Sequence, residues 1–192
     1  MPYRHPLLVA RMAANLDQLS GGRLVLGVGV GWARQEFEAL GVSYEQRGML
    51  TDGHLRAMRA AWEDDVDYPG GRIPIWIGGN SDTGLRRAIR FGDAWHPLRF
   101  PLAWLGKALD RMNAVAADER RVPPALCPRI ALRLTESPIT DPGRLAGEGT
   151  IEQVIGDLEE LCRVGADTVV LDTFNGDPRE TCHPEVAWWT AC

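Results

Sequence analysis

Between Pro6 and Leu19 the apolar residues Leu8, Met12, Leu16 and Leu19 return every three or four positions and trace one face of a helix. Pro6 suits its first turn and Ser20-Gly21-Gly22 ends it. Arg23 to Val30 (RLVLGVGV) then runs apolar with little alternation, the pattern of a strand covered on both faces of a parallel sheet. A short helical piece from Arg34 to Leu40 stops at Gly41, and a longer helix from Gln46 to Glu63 turns Leu50, Leu55, Met58 and Trp62 inward. A turn-rich connector, Asp64 to Arg72, leads into Ile73 to Pro97, which holds the strand Ile75-Trp76-Ile77, the turn Gly78-Gly79-Asn80-Ser81, a helix carrying Leu85, Ala88 and Ile89, the stop Gly92 and a second strand. A helix over Leu102 to Ala117 turns on Leu105, Leu109, Met112 and Val115, Pro123-Pro124 breaks it, and Arg129 to Leu134 reads as one strand. Past the Gly-rich loop Asp141 to Gly149, Thr150 and Gln153 form a capping box. The helix they open carries Val154, Ile155, Leu158, Leu161 and Cys162 and ends at Gly165. Thr168 to Leu171 is the last clear strand, followed by the loop Asn175 to Pro178 and a tail with Trp188 and Trp189.

Strands that alternate with helices and show no hairpin signal predict a parallel α/β sheet in one domain over residues 1–192. The chain has 192 residues, whereas a closed (β/α)₈ barrel takes ~250, so the pattern fits an open sheet or part of a barrel. A net charge of −5 argues against a nucleic-acid binder, and no apolar run approaches the ~20 residues of a membrane span. Cys127, Cys162, Cys182 and Cys192 are scattered without zinc-ligand spacing, which predicts no metal site and reduced thiols in a cytoplasmic protein.

Candidate chemistry gathers at predicted strand ends. A glycine turn feeding a capped helix presents free N–H groups and a positive dipole end to one point, which suits a phosphate, with Arg86 or Arg87 supplying charge. The competing reading of Gly78 to Ser81 is an ordinary strand-to-helix turn. Gly27, Gly29 and Gly31 do not form G-x-G-x-x-G, because Trp32 and Arg34 fall where a glycine is required. They let a flat group approach the backbone, or they serve helix–strand packing. His96 ends a strand, where it is placed to bind substrate or donate a proton, or is structural. His5 precedes the first helix, His54 is expected on a helix surface, and His183 has no assigned role. Asp172 and Asp177 are acid/base candidates, with a loop cap the simpler role for Asp172, and Glu36/Glu38 and Glu159/Glu160 read as solvated helix faces.

The blocks HPLLVARMAANLDQLSGGRLVLGVGVGW (5–32), EFEALGV (36–42) and IPIWIGGNSDTGLRRAIRFGDAWHP (73–97), in this order, resemble the bacterial-luciferase-like monooxygenase family, in particular its deazaflavin-using branch. The resemblance implies a parallel (β/α) barrel of the TIM type and an oxidoreductase that acts on a small-molecule substrate with FMN or a deazaflavin coenzyme (factor 420). It implies that Gly29, Val30, Gly31 and Trp32 line the coenzyme ring and that Gly78, Gly79, Asn80 and Ser81 hold its phosphate. Relative to the family, about three βα units before Tyr3 and an insertion before Ile75 are missing, which leaves about five units. Unpaired edges and exposed core are then expected to be covered by a second chain, as a homodimer or a rearranged sheet. The alternative implied is a truncated, inactive relative that acts as a binding or assembly partner.

Overall fold

The computed structural model describes residues 2–63 and 72–173. Helix α1 (Pro6–Ser20) precedes strand β1 (Leu26–Val28), helices α2 (Arg34–Ala39) and α3 (Arg47–Glu63), strand β2 (Ile75–Gly78), helix α4 (Asp82–Phe91) and strand β3 (Ala94–His96). Helix α5 (Leu102–Asp118) is followed by β4 (Ala125–Leu126), β5 (Arg129–Ala131), β6 (Arg133–Leu134), β7 (Glu148–Gly149), helix α6 (Ile151–Arg163) and β8 (Val170–Asp172). Strands β1-β2-β3-β4 pair in that order, β5 pairs with β8 and β6 with β7, and every one of these pairings is parallel. Bridges from Leu98 to Arg129 and from Leu126 to Ala166 continue the ladder. The strand positions therefore run β1, β2, β3, β4–β5 and β8, an arc of parallel strands with helices on its outer side.

Register assigns the two faces. Leu26 pairs with Ile75, and Val28 with Ile77, which pairs with Trp95. These residues join Leu85, Ala88 and Ile89 of α4, Leu55 and Met58 of α3 and Leu105 of α5 in one apolar cluster. The alternate rows, Gly27-Trp76-Ala94 and Gly78-His96, lie on the opposite, inner face. Gly27 is exposed there and Trp76 and His96 are half-buried.

The lower end of the arc is locked by Asp93, whose carboxylate accepts from Ile75 N at 2.8 Å, from Arg72 at 2.7 Å and from Arg59. Burial works to raise this carboxyl, but the Ile75 N–H and the two guanidinium groups outweigh it and hold it below the ordinary value. In the last βα unit the buried Asp157 receives both arms of Arg144, at 2.7 and 2.6 Å, and Gly147 N at 2.8 Å, which fixes the loop before β7.

Several expectations change. The Leu8, Met12, Leu16 and Leu19 face of α1 is exposed, whereas Ala10, Ala13, Ala14 and Asp17 are buried. Small side chains let α1 lie close on α3, where Trp62 donates to the Ala10 carbonyl at 3.1 Å, and Asp17 accepts from Leu24 N at 3.1 Å. The run 129–134 is two strands, because residues on either side of Leu132 pair with different partners, β8 and β7. The strand expected over 23–30 is paired only at Leu26–Val28. On α6, Ile155 is half-exposed while Asp157 faces inward. His54 is half-buried, not on the surface. Cys127 is free and buried, with its thiol pushed up to about 11 by burial, but Cys162 is disulfide-bonded rather than reduced. Asp177, His183, Cys182, Cys192, Trp188, Trp189 and the connector 64–71 lie outside the described residues. Among the described residues no helix is long and apolar enough to cross a membrane.

Candidate active site

Ser81 is the N-cap of α4, with extended backbone and a side-chain oxygen that accepts from Gly84 N at 3.1 Å. Its hydroxyl also lies 3.0 Å from that of Thr83. Asp82 and Thr83, at the first two helical positions, have N–H groups for which the helix offers no carbonyl partner. Gly79 takes φ +123°, a conformation side chains rarely adopt, and turns the chain from β2 toward this helix end. The turn is braced from two sides. Trp95 donates to the Gly79 carbonyl at 2.9 Å. The Asn80 amide both donates to Leu98 O at 2.6 Å and accepts from Leu98 N at 3.0 Å.

This turn forms one wall of a cavity of about 520 Å³ lined by Val30, Gly78, Gly79, Ser81, Thr83 and Gly84. Arg47, Asp52 and Arg56 of α3 and Arg87 of α4 make the facing wall, with Glu45 beside Arg47. Arg87 is committed, donating to Asp52 at 2.5 Å and to Gly48 O at 3.3 Å. The guanidinium of Arg47 stacks 3.9 Å from the centroid of Tyr44 and donates through Nη1 to Tyr44 O at 2.8 Å, while its buried Nε has no protein partner. A buried donor without an acceptor, opposite a helix N-terminus, is what a bound anion satisfies. The donor set therefore fits a phosphate.

The cavity brings together Val30, Gly78, Gly79 and Ser81 from the sequence candidates. Asn80 acts from behind as a brace. Gly29 is exposed at the inner-face end of β1, Trp32 is 86% exposed, and neither lines the cavity. Gly31, at φ +85°, packs where a Cβ would come within 2.8 Å of Tyr3 Oη and 2.9 Å of Phe37 Cε2, so its role is to let the chain turn over that aromatic pair. Arg86 pairs with Glu119 at 3.3 Å and does not line the cavity, so of the two candidate arginines it is Arg87 that does. Arg47 was not visible as a site residue in the sequence. The Arg-Gly pair opening the α3 pattern was the one signal, and it carries no mark of a ligand. His5 caps α1 by accepting from Leu7 N at 3.3 Å. Asp172 is the last residue of β8, not a loop cap, and pairs with Arg129 at 2.6 Å.

His96 stands on the inner face beside Gly78 in register. Its Nδ1 lies 2.5 Å from the Cys127 carbonyl, and its ring centroid is 5.5 Å from that of Trp76. Burial lowers the imidazole below its ordinary value, the hydrogen bond to Cys127 partly opposes this, and Arg129 adds to the lowering.

Comparison with known proteins agrees with this architecture. A phthiodiolone/phenolphthiodiolone dimycocerosates ketoreductase of Mycobacterium tuberculosis is 28% identical over 147 residues, which are 65% of this chain and 38% of that protein. An uncharacterized protein of the same species is 34% identical over 111 residues, covering 50% of this chain and 38% of its own. The chain thus spans under two-fifths of the length of the curated relatives it matches. Among solved structures, an F420-dependent secondary alcohol dehydrogenase in complex with an F420–acetone adduct superposes with a TM-score of 0.72 at 18% identity, over 87% of this chain and 69% of that one. The coenzyme F420-dependent tetrahydromethanopterin reductase of Methanopyrus kandleri gives 0.71 at 14% identity, over 91% and 75%. An FMN complex of the oxygenating constituent of 3,6-diketocamphane monooxygenase from Pseudomonas putida gives 0.58 at 17%, over 71% and 47%. At these identities the superpositions speak for the fold. The sequence profile of the luciferase-like monooxygenases matches residues 1–140, and the chain belongs to that family.

Proposed function

We propose that this chain is the coenzyme-binding part of an oxidoreductase that uses FMN or a deazaflavin of the F420 type. The observation that carries the reading is the cavity where the Gly78–Ser81 turn and the N-terminus of α4 face Arg47, whose buried Nε lacks an acceptor. Ser81 Oγ, the N–H groups of Asp82 and Thr83, and Arg47 hold the coenzyme phosphate. Arg87, fixed by Asp52, sets the charge of the facing wall without spending itself on the ligand. The inner face, with glycine at positions 27, 29 and 78, lets a planar ring lie against the backbone, and Trp76 gives it an apolar contact. When bound, the coenzyme supplies hydride transfer or oxygen activation. The protein's part is to orient the ring and to shield one side of it.

The test is titration of the purified chain with FMN and with an F420-type deazaflavin, read by absorbance and fluorescence. Saturable binding of one of them is expected, and failure of both to bind rejects the reading. A second reading, an assembly partner or one half of a homodimer, is favoured by α1, whose face of Leu8, Met12, Leu16 and Leu19 is 49–84% exposed. The two readings are compatible, because none of these four residues lines the cavity.

A further inference from the structure

We propose that a second cavity, between α3 and the C-terminal end of α4, binds a doubly charged oxyanion: a phosphate, or the phosphate group of a small monoester. It sits at the other end of α4 from the coenzyme cavity and does not depend on the coenzyme reading. The cavity measures about 320 Å³, near the lower end for small-molecule sites. Five arginines line it, Arg56, Arg59, Arg72, Arg90 and Arg121, together with one carboxylate, Glu63. Two further carboxylates pair with the lining arginines, Asp93 with Arg59 and Arg72, and Glu119 with Arg90. Glu119 is shared again with Arg86 at 3.3 Å. Among the described residues the five guanidinium groups of the lining thus meet three carboxylates. An excess of two positive charges is left, in a chain whose formal net charge is −5.

Part of this positive charge serves the fold. The end of α4 presents free carbonyls and the negative end of the helix dipole, and Arg59 donates to Phe91 O at 3.3 Å and Arg121 to Arg90 O at 3.1 Å. Arg59 also donates to Ile73 O at 2.9 Å, which with Asp93 commits it to structure. Arg56 and Arg121 are different. Arg56 lies over the Phe91 ring, 5.2 Å from its centroid, and Arg121 spends one of its five N–H groups on the Arg90 carbonyl. Among the described residues neither meets a carboxylate. Their remaining donors are available to a ligand in the cavity they line. A guanidinium grips an oxyanion through parallel N–H···O bonds, and a phosphate group carries close to the two negative charges that match the excess. A carboxylate ligand would neutralise only half of it.

Arg56 lines both cavities, so the test separates them by residues that line only one, Arg121 here and Arg47 in the coenzyme cavity. The full chain labelled with ¹⁵N in arginine is titrated with inorganic phosphate at pH 8, where the anion is largely doubly charged, with acetate and chloride at equal ionic strength as controls. The Nε–H signals of Arg56 and Arg121 are identified by their loss in Arg56→Gln and Arg121→Gln. Both are expected to shift along one saturating curve with phosphate and to stay in place with acetate and chloride. Arg121→Gln, which keeps an amide donor for the Arg90 carbonyl, is expected to weaken the binding seen at Arg56 about tenfold or more, the effect of one charge-assisted hydrogen bond. Arg47→Met is expected to leave the curve at Arg121 unchanged. An Arg121 signal that does not saturate with phosphate, an equal response to acetate or chloride, or a curve lost in Arg47→Met overturns the proposal. Arg121→Lys supplies the same assignment if Arg121→Gln fails to fold, and the wild-type curves then decide. Failure of both coenzymes to bind in the titration above would strike the functional reading and leave this site standing.

Discussion

Replacing Arg47 by methionine removes the guanidinium while keeping an unbranched apolar side chain against Tyr44. In the free protein the change has opposing parts. It deletes a buried Nε that has no partner, a group whose burial costs about 1–3 kcal/mol. It also deletes the hydrogen bond to Tyr44 O and the stacking at 3.9 Å, each contributing about 1 kcal/mol or less. The parts nearly cancel, so the stability of the free protein is expected to move by less than about 1 kcal/mol, a few degrees in Tm. With the coenzyme bound the balance is one-sided, because the variant forfeits a charge-assisted hydrogen bond that contributes about 1.5–3 kcal/mol. Coenzyme affinity is then expected to fall about 10- to 150-fold. Fluorescence titration measures that loss and thermal unfolding measures the stability. Arg86→Ala is the control, since Arg86 of α4 pairs with Glu119 and does not line the cavity, and its affinity should match wild type. If Arg47→Met binds within twofold of wild type, or Arg86→Ala loses as much, the cavity is not the phosphate site.

Gly31→Ala forces a side chain onto a φ of +85° and into Tyr3 and Phe37, so a loss of at least about 1–3 kcal/mol is expected in chemical denaturation, and an unchanged midpoint would contradict the packing described. Asp93, held below its ordinary value, binds fewer protons folded than unfolded near its titration range. Its contribution is therefore complete above the unfolded carboxyl value of about 3.9 and is lost as pH falls through the lower folded value. Asp93→Asn should lower the Tm at pH 7 and flatten its decline in acid, and an acid limb identical to wild type would be the adverse result. Leu16→Glu on the exposed α1 face is expected to convert an associated form into monomer in light scattering, and a wild-type protein that is monomeric at high concentration would remove that role for the stripe.

Ile73 to Pro97 was legible almost residue by residue because its signals are local. An apolar strand, a serine cap and helical spacing of Leu85, Ala88 and Ile89 each act within a few residues, and the structure repeats them in β2, α4 and β3. The wall facing it was not legible. Arg47 lines the same cavity as the turn only because α3 packs beside α4, a contact set by core residues such as Leu55, Met58 and Leu85 that no local pattern encodes. The same limit separates Arg86 from Arg87, since neighbouring helical residues point about 100° apart and tertiary packing decides which one meets the cavity. On α1 the apolar period revealed a face but not its partner, and the alanines that fit against α3 outweighed the leucines. The hydrogen-bond partner of His96 is likewise distant, the carbonyl of Cys127 in the link between β4 and β5, 31 residues away in the chain.

The most direct test of the central claim is the position of the phosphate in a crystal structure of the chain with bound FMN or F420-type coenzyme. The account predicts phosphate oxygens within hydrogen-bond distance of Ser81 Oγ, the N–H of Thr83 and Arg47 Nε, with the ring over Gly78 and Trp76. A phosphate bound elsewhere, with Arg47 Nε still lacking an acceptor, would contradict it.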